Sequence, residues 1–300
     1  MADDVIQIEG LKKRYQAVEA LRGLTLAVPR GSVCGFLGRN GAGKTTTLKI
    51  LMGMMRADSG TARVFGLNAA DAAENVAIRR RTGFVSETKE LYPFMTVEEV
   101  IQFTRGFFPG WRRDIEERLV RVFALPLERK IPKLSKGMHS KLALVLALAR
   151  GAELLVLDEP TEGLDPEAVE EALQAVVSVA AEQESTVFFS SHQLAEVEQI
   201  ADRVSIIDAG AIVLSEQLDD LRANYRMVQL VFAGEAPGTG LEAPGVERIQ
   251  ASGRMVSLLV SRNVDDVVER ARARDAVSVD VRPVSLKEIF MGSIKAKAKI

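Results

Sequence analysis

One stretch of the sequence combines the residue types that phosphate binding requires. Residues 38–45 read GRNGAGKT, which fits the pattern G-x-x-x-x-G-K-[ST] of a phosphate-binding loop. In such a loop, glycines let backbone N–H groups approach phosphate oxygens, a lysine supplies positive charge, and the threonine hydroxyl is a ligand for Mg²⁺. Glycine-rich loops also form plain turns, but the lysine and threonine favour a nucleotide site. The predicted nucleotide contacts are Gly38, Arg39, Asn40, Gly41, Ala42, Gly43, Lys44, Thr45 and Thr46.

Two adjacent acids follow an apolar run further along the chain. Residues 154–157 are all apolar, and Asp158 and Glu159 come directly after them. An aspartate at this point can hold Mg²⁺ through water, and the glutamate can polarise a water that attacks the terminal phosphate. A solvated pair of acids at a strand end is the alternative. The complete phosphate loop in the same chain favours the catalytic interpretation.

A second segment also offers backbone N–H groups to an anion. Residues 133–151 read KLSKGMHSKLALVLALARG, and the apolar residues predict a buried helix over 138–150. The first N–H groups of a helix lack intrahelical partners and attract anions. Ser135 and Gly137 lie at this start, so the chain has two candidate phosphate contacts far apart in sequence.

Strands and helices must position these residues. Residues 33–37 predict a short strand before the phosphate loop, and apolar residues at helical spacing predict a helix over 44–55. The run 154–157 is typical of a central parallel strand buried on both faces. Ligands bind at the carboxyl ends of strands in open parallel sheets, so both motifs belong to one edge of an α/β fold.

The remaining segments predict three further parts. The N-terminal stretch indicates short strands joined by turns, and residues 92–133 have a helical pattern with a capping-box pair at Thr96 and Glu99. After about residue 223 the composition changes to strand patterns and two helix patterns, the second with a capping-box pair at Ser285 and Glu288. The predicted domains are a nucleotide domain at 4–222, with a helical part at about 88–150, and a small α+β domain at 225–300.

Composition limits the functional classes. The 39 Lys and Arg residues nearly balance the 41 Asp and Glu residues, for a net charge of −2, so we expect no nucleic-acid partner. The N-terminus is acidic and lacks the apolar segment of a signal peptide, and the apolar run 142–149 is far shorter than a membrane span. The single cysteine, Cys34, lies in an apolar run and is consistent with a reducing cytoplasm. Any membrane role is expected to depend on a partner.

Several motifs in a fixed order make the chain resemble the ATP-binding cassette (ABC) ATPases over about residues 4–222. LSKGM at 134–138 is similar to the family signature LSGGQ, LLVLDEP to the Walker B motif with its catalytic glutamate, EGLDP to the D-loop, and SSH to the switch region. The resemblance implies that Tyr15 stacks on adenine, that Asp165 is the D-loop acid and that His192 lies beside the γ-phosphate. It also implies a P-loop NTPase fold of the ABC type: a RecA-like core with an antiparallel β subdomain and a helical subdomain.

The resemblance explains the second phosphate contact. In this family two cassettes meet head to tail, and each ATP lies between the phosphate loop of one subunit and the signature of the other. Ser135 and Gly137 are therefore expected to contact the ATP of a partner cassette, which is either a second copy or a sister subunit. ATP binding would close the dimer and hydrolysis would open it.

The chain departs from the family pattern at four positions. Glu87, in GFVSET, stands where the Q-loop usually has Gln, and from there its carboxylate can reach Mg²⁺ together with Thr45 and Asp158. Lys136 and Met138 replace the first Gly and the Gln of the signature. Arg39 stands where Pro is common, and it either contacts phosphate or is solvated.

The LSKGM signature and the glutamate in the Q-loop are similar to those of bacterial cassettes of the YtrB and EcsA group, which work with separate membrane subunits of the ABC-2, exporter-like type. The resemblance thus implies the ATP-hydrolysing subunit of a transporter, with ATP and Mg²⁺ as cofactors. Its partner would be a multi-span membrane permease, and the chain would lie in the cytoplasm, peripheral on the inner face of the membrane.

Two alternatives remain open at this point. The first is an ABC ATPase that acts on ribosomes or DNA. Ribosome-associated types usually carry two cassettes, and DNA-associated types insert long coiled coils between the Q-loop and the signature; the interval between Glu87 and Leu134 is too short for those. The second is a metabolic P-loop kinase, which would leave LSKGM and SSH unexplained.

Overall fold

The computed structural model describes residues 4–237 and 240–296. The chain forms two compact units, the first ending at Ser215 and the second beginning at Glu216. The strands are β1 (Asp4–Tyr15), β2 (Val18–Pro29), β3 (Val33–Leu37), β4 (Ser59–Val64), β5 (Leu67–Asn68), β6 (Thr82–Val85), β7 (Leu154–Asp158), β8 (Thr186–Ser191), β9 (Arg203–Asp208), β10 (Ala211–Gln217), β11 (Arg226–Phe232), β12 (Val246–Ser252), β13 (Met255–Val260) and β14 (Ala276–Pro283). The helices are α1 (Lys44–Leu51), α2 (Ala72–Arg81), α3 (Val97–Arg105), α4 (Arg113–Val122), α5 (Lys136–Leu148), α6 (Pro166–Gln183), α7 (Leu194–Ile200), α8 (Leu218–Asn224), α9 (Val264–Arg272) and α10 (Leu286–Ala296), with a short 3-10 helix at Ile131–Lys133.

A sheet with the strand order β10-β9-β3-β8-β7-β6 positions the site. Strand β8 runs parallel to both β3 and β7, and its register pairs Ser191 with Leu37 and Ser190 with Asp158. The segments that follow these three strands therefore meet at one edge of the sheet. Strand β7 is buried along its whole length, as its apolar sequence predicts.

The N-terminal strands form a separate antiparallel sheet with the order β2-β1-β4-β5. The prediction of short strands was wrong, because β1 and β2 each extend over 12 residues. The register between them shifts near Gly10, which has a φ of 58°. A β-bulge of this kind lets a strand continue through a glycine that would otherwise end it.

Helix α1 ends at Leu51, before the predicted end at residue 55. Gly53 adopts a left-handed φ of 63°, and the N–H groups of Gly53 and Met54 donate to the carbonyls of Ile50 and Lys49. This is the hydrogen-bond pattern of a Schellman motif, which terminates a helix at a glycine. Apolar residues beyond Leu51 continued the helical pattern in the sequence, but the glycine ended the helix.

The helical part lies between β6 and β7. Its first helix, α3, begins at the predicted capping box: the Thr96 N–H donates to Glu99 Oε2 at 2.7 Å, and the Glu99 N–H donates to Thr96 Oγ1 at 3.2 Å. Helix α5 begins at Lys136 and ends at Leu148, about one half-turn nearer the N-terminus than predicted. Ser135 is its N-cap residue, so the signature forms the first turn.

The second unit has its own core and an antiparallel sheet with the order β12-β13-β11-β14. The sequence did not predict β12, whose side chains are mostly exposed and lack apolar alternation. The capping box at Ser285 and Glu288 is present, but α10 runs to Ala296, further than its capping pattern indicated. None of the helices that the structure describes combines the length and apolar character needed to cross a membrane.

Candidate active site

The phosphate loop connects β3 to α1, and two of its glycines, Gly38 and Gly43, leave no room for a larger residue. A Cβ atom at Gly43 would lie 2.7 Å from the Ala20 carbonyl oxygen, and one at Gly38 would lie 2.7 Å from the Ile207 carbonyl oxygen. Gly43 is the N-cap of α1, with a φ of 112° and no side-chain cap. The first N–H groups of α1 therefore have no side-chain acceptor, which is the arrangement that binds phosphate.

A cavity of about 360 Å³ opens over this helix start. Its walls come from the loop, the strand after β1, the Q-loop and the end of β7. The lining residues are Ala20, Arg39, Asn40, Gly41, Gly43, Lys44, Thr45, Thr46, Glu87 and Glu159. Most of the predicted phosphate contacts thus face one space, together with Glu87 and Glu159. Gly38 and Ala42 are buried and do not line this cavity.

Lys44 is buried at the floor of this cavity. Its Nζ donates to the Gly38 carbonyl oxygen at 2.8 Å and lies 3.2 Å from Glu159 Oε1. The lysine charge is therefore fixed within the loop and paired with the predicted catalytic carboxylate. A buried lysine needs such a counter-charge, and a terminal phosphate offers the same kind of partner.

The two predicted catalytic residues, Glu159 and His192, contact each other. The Oε2 atom of Glu159 lies 2.9 Å from His192 Nδ1, and the Glu159 backbone N–H donates to Ser190 Oγ at 3.0 Å. Glu159 also has a left-handed φ of 47°, which is uncommon for a residue other than glycine and is found at functional sites. The carboxylate is thus held between Lys44 and His192, directly after the carboxyl end of β7.

The predicted metal ligands also converge. Thr45 Oγ1 donates to Glu87 Oε2 at 3.2 Å, Ser190 Oγ donates to Asp158 Oδ1 at 2.6 Å, and the Thr45 hydroxyl also interacts with Asp158. Burial raises the pKa of Asp158, hydrogen bonds from Ser190 and Thr45 oppose the rise, and the negative charges of Glu87 and Glu159 add to it. A divalent cation among these oxygens would offset that concentration of negative charge.

The donor set fits Mg²⁺ in chemistry. A hydroxyl and carboxylates are hard oxygen ligands, and Mg²⁺ usually takes only one or two carboxylates from the protein and completes its coordination with phosphate oxygens and water. Among the residues that the structure describes, no group of three or more acidic, histidine or cysteine side chains is arranged to hold a metal ion by itself.

The signature residues lie elsewhere. Ser135 caps α5, since its Oγ accepts the Met138 N–H at 3.2 Å, and Gly137 packs so that a Cβ atom would lie 3.1 Å from the Gly163 carbonyl oxygen. Neither residue lines the phosphate-loop cavity of its own chain. Asp165 caps α6 by accepting the Ala168 N–H at 3.0 Å.

Tyr15 stands apart from the phosphate loop as well. It ends β1 at the turn into β2, its ring is exposed, and its hydroxyl contacts Met55 Sδ at 2.6 Å. An exposed ring at this position is available for stacking, but it does not line the phosphate-loop cavity.

Sequence reasoning missed two residues of the site. Ser190 lies inside the SSH motif but was given no role, although it holds both Asp158 and Glu159. Lys89 donates from its Nζ to the main-chain carbonyls of Glu159 and Glu87, at 3.0 and 3.3 Å. No motif marks it, and a lysine in a loop is ordinarily expected in solvent.

Comparison with known proteins identifies related chains. A family model described as "ABC transporter" matches residues 21–162, and one described as "AAA domain, putative AbiEii toxin, Type IV TA system" matches residues 127–198. The bacitracin transport ATP-binding protein BcrA of Bacillus licheniformis is 34% identical over 74% of this chain and 72% of its own length. Nod factor export ATP-binding protein I of Ralstonia nicotianae is 31% identical over 96% of this chain and 92% of its own. The ABC transporter ATP-binding protein YtrB of Bacillus subtilis is 24% identical over 98% of this chain and all of its own.

Solved structures share the fold. The dimeric ATP-binding cassette MJ0796, in a post-hydrolysis state with ADP and Pi, superposes with a TM-score of 0.65 at 23% identity, over 71% of this chain and 98% of its own. A structure described as the ATP-binding subunit of an ABC transporter has a TM-score of 0.64 at 32% identity, over 73% of this chain and 92% of its own. The predicted fold class of the nucleotide domain is confirmed.

Proposed function

Since the chain belongs to the family of ABC transporter ATP-binding proteins, we propose that it powers an exporter of the ABC-2 type through ATP-driven, head-to-tail pairing of two cassettes. The coarser part of this statement follows from the family: the chain is an ATP-binding ATPase of a transporter. The observation that carries the catalytic part is the position of the Glu159 carboxylate between Lys44 and His192, beside the phosphate-loop cavity.

Each residue of the site has a role in the proposal. The loop from Gly38 to Thr46 binds the phosphates of ATP, and Tyr15 stacks on adenine. Thr45, Asp158 and Glu87 would hold Mg²⁺, which neutralises phosphate charge during transfer to water. Glu159 polarises the attacking water, and His192, held by Glu159, interacts with the γ-phosphate.

The signature residues serve a second molecule in this proposal. Ser135 and Gly137 lie on a helix start that does not reach the cavity of its own chain, which supports a contact with the ATP of a partner cassette. Asp165, at the start of α6, would lie at the same interface. The dimeric cassette MJ0796, whose fold this chain shares, gives a precedent for pairing.

Export and partnership with a permease rest on two kinds of support. BcrA and the Nod factor protein are named for bacitracin transport and for Nod factor export. The helical part also carries an aromatic surface made of Tyr92, Phe94, Phe103 and Phe107. Their rings form a chain with centroid distances of 5.9, 5.3 and 5.0 Å, and each side chain is 41–67% exposed.

An exposed run of contacting aromatic rings marks an interaction site. This surface begins at Tyr92, a few residues after Glu87. A protein bound to it would therefore contact a segment that directly follows the proposed metal ligand. We propose that a cytoplasmic segment of a multi-span permease binds here, which would place the chain at the inner face of the cell membrane.

The test uses the Glu159→Gln variant, expressed with an affinity tag in the native host. The variant should bind ATP, dimerise and barely hydrolyse, so a permease complex should persist in gently solubilised membranes with ATP present. Co-purification of a multi-span membrane protein would support the transporter role. Ribosomal proteins or DNA without a permease would overturn it, and near-normal turnover would remove Glu159 from its role.

Two further variants locate the permease contact. Phe94→Ser with Phe107→Ser should abolish co-purification while leaving the ATPase rate of the isolated chain unchanged. Val122→Ser is the matched control, because Val122 is an exposed apolar residue of the same helical part that lies outside the aromatic surface. Equal permease recovery from both variants would exclude the aromatic surface.

A further inference from the structure

Lys89 is a buried cation whose hydrogen bonds go to the main chain. Its side chain is enclosed, with the residue only 6% exposed. Within the described residues, its Nζ donates to the carbonyl oxygens of Glu159 at 3.0 Å and Glu87 at 3.3 Å, and it forms no ion pair with a carboxylate. These two acceptors belong to the proposed water-polarising residue and a proposed metal ligand.

Burial of the charged Lys89 side chain is unfavourable by itself. Burial lowers the pKa of Lys89, and the charges of Glu162, Asp158 and Glu159 oppose that shift while Lys136 adds to it. Burying an ammonium group is unfavourable unless its hydrogen-bond donors are used. Lys89 uses its donors on the main-chain carbonyls of Glu159 and Glu87.

The Glu159 backbone is held from both sides. Its N–H donates to Ser190 Oγ at 3.0 Å, and its carbonyl accepts from Lys89. Between these two bonds the residue keeps a left-handed φ of 47°, and Lys89 itself has a φ of 48°. Such backbone conformations persist only where the surroundings hold them in place, and the direction of the Glu159 side chain follows from its backbone.

We propose that Lys89 is a positioning residue for ATP hydrolysis: by binding the carbonyls of Glu159 and Glu87 with one ammonium group, it fixes the water-polarising carboxylate relative to the metal-binding segment. This inference rests on the proposed role of Glu159. Lys89 does not touch ATP in this scheme, because its nitrogen donates to the main chain and the residue does not line the phosphate-loop cavity.

The first test compares Lys89→Met with Lys141→Met in the full chain. Methionine keeps the length and apolar stem but removes the donors, so kcat should fall about 10- to 100-fold, as expected when a catalytic group moves by about 1 Å. The affinity for ATP should stay within about twofold. Lys89→Arg, which keeps charged donors, should recover part of the rate. Lys141 pairs with Glu171 away from the cavity, so its variant should keep normal kcat.

The second test is a double-mutant cycle with Glu159→Gln. If Lys89 acts through the Glu159 carboxylate, Lys89→Met should produce no further loss in the residual turnover of Glu159→Gln. Additive losses, or a normal kcat in Lys89→Met, would overturn the proposal. Near-normal turnover of Glu159→Gln alone would instead contradict the proposed function. If Lys89→Met does not fold, Lys89→Gln replaces it in the same cycle, with the same expected result.

Discussion

Two helices of the first unit start with residues suited to phosphate, but the two starts are built differently. The N-cap of helix α1 is Gly43, a left-handed glycine with no side-chain cap, which lines a cavity. The N-cap of helix α5 is Ser135, whose hydroxyl accepts the Met138 N–H. Its next residue, Lys136, is exposed and pairs with Glu162 at 2.6 Å.

The different construction of the two helix starts suits them to different steps: nucleotide binding at α1 and pairing of two cassettes at α5. The start of α1 leaves its N–H groups without side-chain acceptors and lies in one cavity with Lys44, Thr45 and Glu159, so one chain supplies the phosphate loop and its charged partners by itself. The start of α5 satisfies part of its own hydrogen bonding and is stable without a ligand. It is therefore suited to meet a nucleotide that another molecule already holds, and changes at the two helix starts should have separable effects.

The largest effect is expected at the α1 start. Lys44→Ala removes a buried charge from the phosphate cavity, and hydrogen bonds to charged groups contribute about 1.5–3 kcal/mol each, so ATP affinity should fall about 100-fold. Isothermal titration of single chains with Mg-ATP measures this. Lys49→Ala, on the same helix outside the cavity, is the control. A loss of less than about threefold in Lys44→Ala would contradict the assignment of the cavity.

The next effect concerns the α5 start. Ser135→Asp keeps an N-cap acceptor and suits the positive helix end, but it adds a negative charge where the phosphate of a partner would bind. ATP affinity of the single chain should not change, whereas ATP-driven dimerisation and turnover should fall about 10-fold or more. Light scattering with ATP and a phosphate-release assay report these quantities. Ser135→Thr keeps the cap without the charge and should behave like the parent chain.

The sequence predicted the parts of the site that are contiguous. The phosphate loop and the Asp158–Glu159 pair each follow an apolar strand, and the parallel register of β3, β8 and β7 then brings them together. Glu87 was predicted as a metal ligand from its place in the Q-loop; its side chain accepts a hydrogen bond from Thr45 at 3.2 Å, and its role at the metal stays a prediction.

What the sequence did not predict depends on long-range packing or on a single residue. Lys89 reads as a solvated loop residue, because nothing near it in sequence indicates that β7 and the Q-loop will enclose it. The edge strand β12 has exposed side chains and so no apolar alternation to indicate it. For α1, the stop was present in the sequence as Gly53, but the apolar periodicity on either side outweighed it.

A third prediction concerns the carboxylate of Asp158 and the pH dependence of stability. The pKa of Asp158 is raised, chiefly by burial, so the folded state binds its proton more tightly than the unfolded state does. Stability from this group is present at low pH and is lost as pH rises through the folded pKa. In EDTA without nucleotide, Asp158→Asn should therefore raise Tm at pH 7, with a smaller gain near pH 4.

The same variant should lose hydrolysis, because the amide is a poor ligand for Mg²⁺. Calorimetry at the two pH values checks the stability, and Mg-ATP should then stabilise the parent chain more than Asp158→Asn. A lower Tm for the variant at pH 7 would mean that the hydrogen bonds to Asp158 outweigh its desolvation.

The smallest effect separates the two roles of Ser135. Ser135→Ala removes the cap of α5, which should cost about 1 kcal/mol and lower Tm by about 2–4 °C for a domain of this size. Ser135→Thr and Ser135→Asp both keep a cap, so their Tm should stay close to that of the parent chain, although only Asp impairs turnover. Thermal unfolding of all three variants without nucleotide measures the capping term alone. If Ser135→Ala is as stable as the parent chain, α5 does not depend on its own cap, and the contrast with the uncapped start of α1 fails. If it is less stable but hydrolyses ATP normally, the hydroxyl serves its own helix and the partner nucleotide depends on the N–H groups around Gly137.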